Sequence, residues 1–282
     1  MLMMENHGYA RIIMNWHLAM GVDETISEVP VNRLLISDSP SPQVPLAVRR
    51  AQDKETSDGF QSEPAAISAS SPPPNNENST LNNATALAAA SRTYKELETA
   101  ITNFTGCSLR KTATNTVFAD GNPEGRVLLI GEAPGAEEDR RGRPFVGPSG
   151  QLLNKMLASI GLDRTQVLIS NIVFWRPPGN RTPTPLEVAS CLPFVQRIIE
   201  LMEPEIIVPL GGPATKSLLE QTAGIGKLRG RWFNYQTPQI SKPIAATPLF
   251  HPAYLLRTPA QKRTAWRDLI MIRARLNNQR EF

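Results

Sequence analysis

Four short apolar runs constrain this chain more than any other feature: Val127–Ile130, Val167–Val173, Ile206–Leu210 and Ile244–Pro248. Each is rich in β-branched residues or Leu and is continuous rather than alternating. That pattern suits strands buried on both faces of a parallel sheet. Helical patterns separate them. Leu152, Leu153, Met156, Leu157 and Ile160 recur at helical spacing, and Gly161 ends the run. Thr184-Pro185-Leu186-Glu187 reads as a capping box with Pro in the first turn, opening a helix to about Met202. Gly212–Gln221 is a third helix, and Thr258-Pro259-Ala260-Gln261 opens a fourth that runs to about Leu276. Strand–helix alternation of this kind predicts a three-layer α/β/α sandwich around a central four-stranded, mainly parallel sheet.

The sandwich pattern covers residues 93–282. Residues 8–29 have a helical stripe (Ile12, Ile13, Trp16, Ala19, Met20), so 1–35 is read as an N-terminal helical segment. Between them, 36–92 is rich in Ser, Pro and Asn without hydrophobic period, which predicts a disordered linker. Within it, the Ala-rich stretch Ala84–Ser91 could begin a helix continuing through Tyr94–Asn103.

Charge follows the same division. The 282 residues carry a net +4, but residues 1–99 hold 7 Lys+Arg against 12 Asp+Glu, and residues 100–282 hold 23 against 14. The C-terminal part therefore stands at +9, compatible with a polyanionic partner or with an ordinary basic domain. No run approaches the roughly 18 apolar residues of a membrane helix. Two cysteines exclude a disulfide-rich secreted scaffold. The expectation is a monomeric protein of a reducing, cytoplasmic compartment, without membrane contact.

Ligands of open α/β sheets bind at the carboxyl ends of the strands. Gly131-Glu132-Ala133-Pro134-Gly135 follows the first run, with Glu138 shortly after. Asn171 and then Arg176-Pro177-Pro178-Gly179-Asn180-Arg181 follow the second, and His251-Pro252-Ala253-Tyr254-Leu255-Leu256-Arg257 the fourth. Taken singly, each is more often just a turn, a cap or a structural histidine. The Gly-rich turn lacks the Gly-Lys-Ser/Thr of a phosphate loop, and no Gly-x-Ser-x-Gly elbow occurs. His7, His17 and His251 are too scattered for a metal site.

Taken in order, with Gly142-Arg143-Pro144-Phe145-Val146-Gly147 between them, these segments resemble the uracil-DNA glycosylase superfamily, family 4 type, over about residues 104–275. The resemblance implies an enzyme of base-excision repair. It would extrude uracil from single- or double-stranded DNA and hydrolyse its N-glycosidic bond, since the bond is inaccessible in the stack. Phe145 would stack on the uracil. Asn171 would pair with O4 and N3–H, and backbone around Gly131, Glu132 and Ala133 would complete the pocket. Glu138 would exclude the thymine methyl. His251 would be catalytic, donating to O2 as charge develops there. Other branches hold the attacking water with Asp or Asn at the position of Ala133, so here its partner is open, with Glu132 adjacent. Leu255 would be the wedge filling the vacated stack. Tyr254, Arg257, Arg176 and Arg181 would contact DNA.

Family 4 enzymes usually hold a 4Fe–4S cluster on four cysteines. The corresponding positions here read Phe104, Cys107, Trp175 and Cys191. A cubane needs all four corners ligated, so no cluster, metal or other cofactor is expected, with the aromatics filling the space. The Lys-Arg-Arg-Ile-His insertion of a branch with a covalent histidine is absent between Asn171 and Thr184. Two rival readings stay open: a nucleic-acid-binding module of this fold without activity, and a glycosylase for hypoxanthine or xanthine.

Overall fold

A computed structural model describes residues 75–278. In chain order its elements are α1 (Asn75–Ala90), α2 (Tyr94–Asn103), β1 (Ala119–Gly121), β2 (Val127–Gly131), α3 (Ala136–Arg141), α4 (Pro148–Ala158), β3 (Val167–Asn171), α5 (Pro185–Met202), β4 (Ile206–Pro209), α6 (Gly212–Leu219), α7 (Ile225–Leu228), β5 (Phe233–Tyr235), β6 (Ile244–Ala246), α8 (Pro252–Arg257) and α9 (Lys262–Asn278). The expected N-terminal helix and residues 36–74 of the expected linker lie outside the described residues.

The four apolar runs become β2, β3, β4 and β6, and every residue of each is buried. They pair in parallel: Val127 lies opposite Val167 on one side and Ile206 on the other, and Ile206 lies opposite Ala245. The full order is β1-β3-β2-β4-β6-β5. The sheet thus has six strands rather than four. The two additions, β1 and β5, are antiparallel edges of three residues each. Ala119-Asp120-Gly121 and Phe233-Asn234-Tyr235 carry no apolar run because an edge strand needs only one protected side.

Alternate residues of β2 serve opposite layers. Leu128 and Ile130 pack with Phe194, Ile198 and Leu97, beneath α5 and α2. Val127 and Leu129 pack with Leu153, Met156 and Leu269, beneath α4 and α9. This is the expected three-layer sandwich. α5 opens on a capping box: the Thr184 hydroxyl accepts from Glu187 N at 3.3 Å, and the Glu187 carboxylate accepts from Thr184 N at 2.8 Å.

The end of the expected linker is a correction. Residues 75–90 form α1, with Ala84 and Ala88 buried one turn apart in the same layer as α5. Arg197 of α5 fastens the following turn by donating from Nε to the Ser91 carbonyl at 2.8 Å. The helix has no broad apolar stripe. Two small residues suffice where backbones approach closely, so tertiary packing holds it rather than local amphipathicity.

β2 has β3 on one side and β4 on the other, and the chain leaves it toward both halves of the sheet in turn. The carboxyl ends of β2, β3 and β4 therefore diverge around a crevice at the switch point.

Candidate active site

That crevice is a cleft of about 1110 Å³, and Glu132, Ala133, Glu138, Phe145, Asn171 and His251 all line it. Arg181, Tyr254 and Arg257 lie at its wall as well. Arg176 does not: its Nε donates at 2.8 Å to Oδ1 of Asn180, which is itself part of the wall.

Asn171 ends β3, directly opposite Gly131 at the end of β2. Its side chain is 1% exposed, yet neither Oδ1 nor Nδ2 has a hydrogen-bond partner. Buried amides are nearly always paired, and an orphaned one costs about 1–3 kcal/mol. Both atoms are therefore available to a ligand. Gly131 makes the arrangement possible: a Cβ there would lie 2.4 Å from Asn171 Oδ1 and 2.7 Å from the Phe145 ring.

Phe145 adopts φ +53°, in the left-handed region. A non-glycine residue holds such a backbone only where its surroundings enforce it. Here Arg164 donates to the Pro144 carbonyl at 3.2 Å and to that of Phe145, while Gly150 of α4 packs so closely that a Cβ would meet the Phe145 carbonyl at 1.6 Å. The buried ring faces the His251 ring, with centroids 5.6 Å apart and planes inclined by 34°.

His251 is not on an open loop. It is the N-cap of α8, and its Nδ1 accepts the backbone N–H of Ala253 at 3.1 Å. An accepting Nδ1 leaves the proton of the neutral ring on Nε2. Burial pushes the imidazole down to about 4, with Arg257 adding to the effect and Glu138 opposing it. The ring is thus neutral near pH 7 and offers one N–H donor.

Glu138 joins two walls. Its Oε1 accepts from Val146 N and Gly147 N, both at 2.9 Å, which fixes the Phe145 loop against α3. Glu132 is raised above the usual carboxylate range by burial, partly offset by a hydrogen bond from Thr182. Thr182 belongs to a wider network. Arg181 donates to the Thr182 carbonyl at 3.0 Å and grips Glu187 with two hydrogen bonds, at 2.9 and 2.7 Å. Glu187 also accepts from Ser108 Oγ at 3.0 Å. Arg181 holds its carboxylate down to about 2. The expected DNA-contacting guanidinium is therefore engaged within the protein.

The wedge expectation needs correcting. Leu255 is 1% exposed and packs in the layer of α4 and α9, whereas Leu256 is 43% exposed. Because the segment is helical, successive side chains point about 100° apart, and the inner position falls on Leu255. Loop spacing alone could not reveal this. Sequence reasoning also missed Gly211, Gly212, Ile225 and Arg229, which complete the cleft. The first two follow the third apolar run, so the strand-end rule points to them. Arg229 could not be found that way: it is placed by a hydrogen bond to Asp268 of α9, at 2.6 Å.

The four positions where the resemblance implies cluster ligands do come together as a buried group. Phe104, Cys107, Trp175 and Cys191 are each at most 1% exposed. Phe104 packs edge-on against Phe194 at 5.1 Å, and Trp175 Nε1 donates to Thr116 Oγ1 at 3.1 Å. The two thiols interact with each other. The contact with Cys191 holds Cys107 below the ordinary thiol range, while burial raises Cys191. Two sulfurs and two packed rings do not fit a four-cornered cluster. Among the described residues, no group of three or more His, Cys, Asp or Glu is placed to hold a metal ion. Nor is any described helix long and apolar enough to cross a membrane.

Comparison with known proteins agrees with this geometry. A family model described as the uracil DNA glycosylase superfamily matches residues 118–270. A type-4 uracil-DNA glycosylase of Thermotoga maritima is 42% identical over 154 residues, covering 54% of this chain and 78% of that protein. Counterparts of the same type from Pyrobaculum aerophilum (38% over 181 residues; 63% and 91%) and Sulfurisphaera tokodaii (40% over 172 residues; 59% and 77%) are also similar.

Proposed function

The chain belongs to the uracil DNA glycosylase superfamily, and on that premise we propose that it is a DNA-repair enzyme hydrolysing the N-glycosidic bond of uracil in DNA. The observation that carries the reading is Asn171: a buried amide with both polar atoms unpartnered, beside an enforced aromatic ring, at a strand-end cleft.

Uracil presents an acceptor, O4, next to a donor, N3–H. Asn171 Nδ2 donates to the first and Oδ1 accepts from the second. Cytosine reverses both, so it would set donor against donor and leave the amide unpaired in a dry site. Discrimination of this kind reaches about 10⁴- to 10⁵-fold. Phe145 stacks on the ring face, and its fixed backbone limits the entropy lost on binding. Glu138, by holding Val146 and Gly147, sets the wall facing C5, where thymine carries its methyl.

The reaction breaks the C1′–N1 bond, and the bonding pair leaves with the base. Negative charge gathers on uracil O2, where Nε2–H of neutral His251 donates a hydrogen bond that strengthens as the charge grows. A neutral donor keeps its proton and stabilises the anion by polarity alone. The sugar left behind is a cation at C1′. Water adds there and loses a proton, giving the abasic site. Ala133 has no group to hold that water, and Glu132, its neighbour in the chain, lines the same cleft, is tied to Thr182 and is the carboxylate candidate. Leu256, not Leu255, fills the gap in the stack, with Tyr254 and Arg257 of the same helix against the backbone. The enzyme acts as a cytoplasmic monomer without an iron–sulfur cluster.

The test is incubation with uracil-containing single- and double-stranded oligonucleotides, followed by alkali to reveal abasic sites. Uracil-dependent strand breaks are expected, and Asn171→Ala abolishes them. DNA binding without breaks at enzyme excess would overturn the reading in favour of an inactive binding module. Breaks only at hypoxanthine or xanthine would reassign the substrate.

A further inference from the structure

A second recess of about 430 Å³ opens beside the cleft, lined by Arg110, Lys111, Thr105, Thr114, Asn115 and Thr116, with Trp175 at its floor. We propose that it holds backbone phosphate of the DNA strand next to the extruded nucleotide, extending the binding track beyond the uracil pocket. The proposal rests on the glycosylase reading for the identity of the polyanion.

The recess has two cations, several hydroxyls and an amide, and no carboxylate lines it. The carboxylate tied to this segment, Asp139, is buried and its Oδ1 is occupied, accepting from Thr114 N at 2.9 Å and Asn115 N at 3.0 Å. Neither Arg110 nor Lys111 takes part in an ion pair among the described residues. By contrast, Arg126, Arg164, Arg181 and Arg229 are all held by carboxylates within the protein. A pair of uncommitted cations flanked by hydroxyl donors is the donor set that phosphate oxygens take.

The recess and the cleft have no lining residue in common, but two short links join them. Trp175 leads through Arg176 to Pro177, which lines the cleft. On the other side Asn115 donates from Nδ2 to the Asp139 carbonyl at 2.7 Å, and Asp139 lies in α3, whose Glu137 and Glu138 line the cleft. These links place the recess next to the cleft, within reach of the strand that the proposal seats there. Trp175 is tied to Thr116, and Thr114 and Asn115 to Asp139 of α3, so these parts of the recess wall are held by the fold.

Each phosphate neutralised by the protein steepens the salt dependence of duplex binding by a log–log slope of about 0.9. Affinity of the full chain for a uracil-free duplex would be measured across a salt series. Lys111→Ala is expected to reduce the slope by about 1, and Arg110→Ala/Lys111→Ala by about 2. Lys242→Ala removes one exposed cation just before β6, in the half of the sheet away from β1 and β3, and is expected to leave the slope unchanged. The single-turnover rate of uracil release at saturating DNA should stay within about twofold of wild type for all three. Lys111→Gln, at an exposed position, repeats the test should the double variant fail to fold. An unaltered slope in the Arg110/Lys111 variants, or an equal fall in Lys242→Ala, would overturn the proposal. If wild type releases no uracil while the slopes shift as expected, the glycosylase reading fails and the recess stands. If wild type releases uracil and the slopes do not move, the recess alone fails.

Discussion

The Nδ1 of His251 accepts the backbone N–H of Ala253 two residues on, at 3.1 Å, so one contact both caps α8 and fixes which nitrogen of the ring carries the proton. Removing a preorganised donor of this kind typically costs about 10²- to 10³-fold in rate. His251→Ala should show such a loss in single-turnover uracil release, with DNA affinity changed less than about threefold. Equal losses in both would contradict the role.

The same residue sets a stability profile. Its folded value of about 4 lies below the ordinary histidine value of 6.5, so the unfolded chain binds the proton more readily. Stability therefore rises with pH between about 4 and 6.5, by up to about 3 kcal/mol. His251→Gln should flatten that part of the curve, measured as melting temperature against pH. An unchanged slope would mean that the ring is not held neutral by the fold.

The two leucines of α8 should separate cleanly. Leu255→Ala opens a hole in a packed layer and should cost about 2–5 kcal/mol of stability. Leu256→Ala leaves melting nearly unchanged and weakens uracil release from duplex more than from single strands, which have less stacking to replace. Reversed effects would restore Leu255 as the wedge.

Glu187 lies in the α5 capping box, outside the cleft, and reaches it through Arg181 and Thr182. Its carboxylate is held down to about 2, so its contribution is present above the ordinary value of 4.5 and lost as pH falls toward 2. Glu187→Gln should therefore destabilise at neutral pH and lose the acid-side dependence. It should also lower the rate at saturating DNA, because Thr182 no longer holds Glu132. A change in melting alone would reduce Glu187 to a helix cap.

Purified protein should contain substoichiometric iron and show no visible cluster absorbance, because Phe104 and Trp175 occupy two of the four corners. One cluster's worth of iron per chain would refute the packing account.

The central fold was legible because β2, β3, β4 and β6 are buried on both faces, and such strands must be continuous apolar runs. β1 and β5 were not, because three-residue edges with Asp120 or Asn234 at their centre carry no period. Only the Ala-rich end of α1 was legible, for a related reason: Ala84 and Ala88 give little signal until a partner helix is there to meet them. At the site, motif order brought out Asn171, Phe145 and His251. It did not show that Leu255 faces inward, because a residue count does not say whether a segment is loop or helix. It also left Arg181 as a free cation, although its partner Glu187 had already been recognised in the capping box.

The aromatic pair where two cluster ligands would sit has a consequence for how this enzyme comes to be active. The four-cysteine pattern that the resemblance implies would tie maturation to iron supply, sulfide delivery and protection from oxidants. A core closed by Phe104 and Trp175 is finished when the chain folds, so the repair capacity of newly made protein should not vary with iron starvation or oxidative stress, the latter a condition in which damaged bases accumulate.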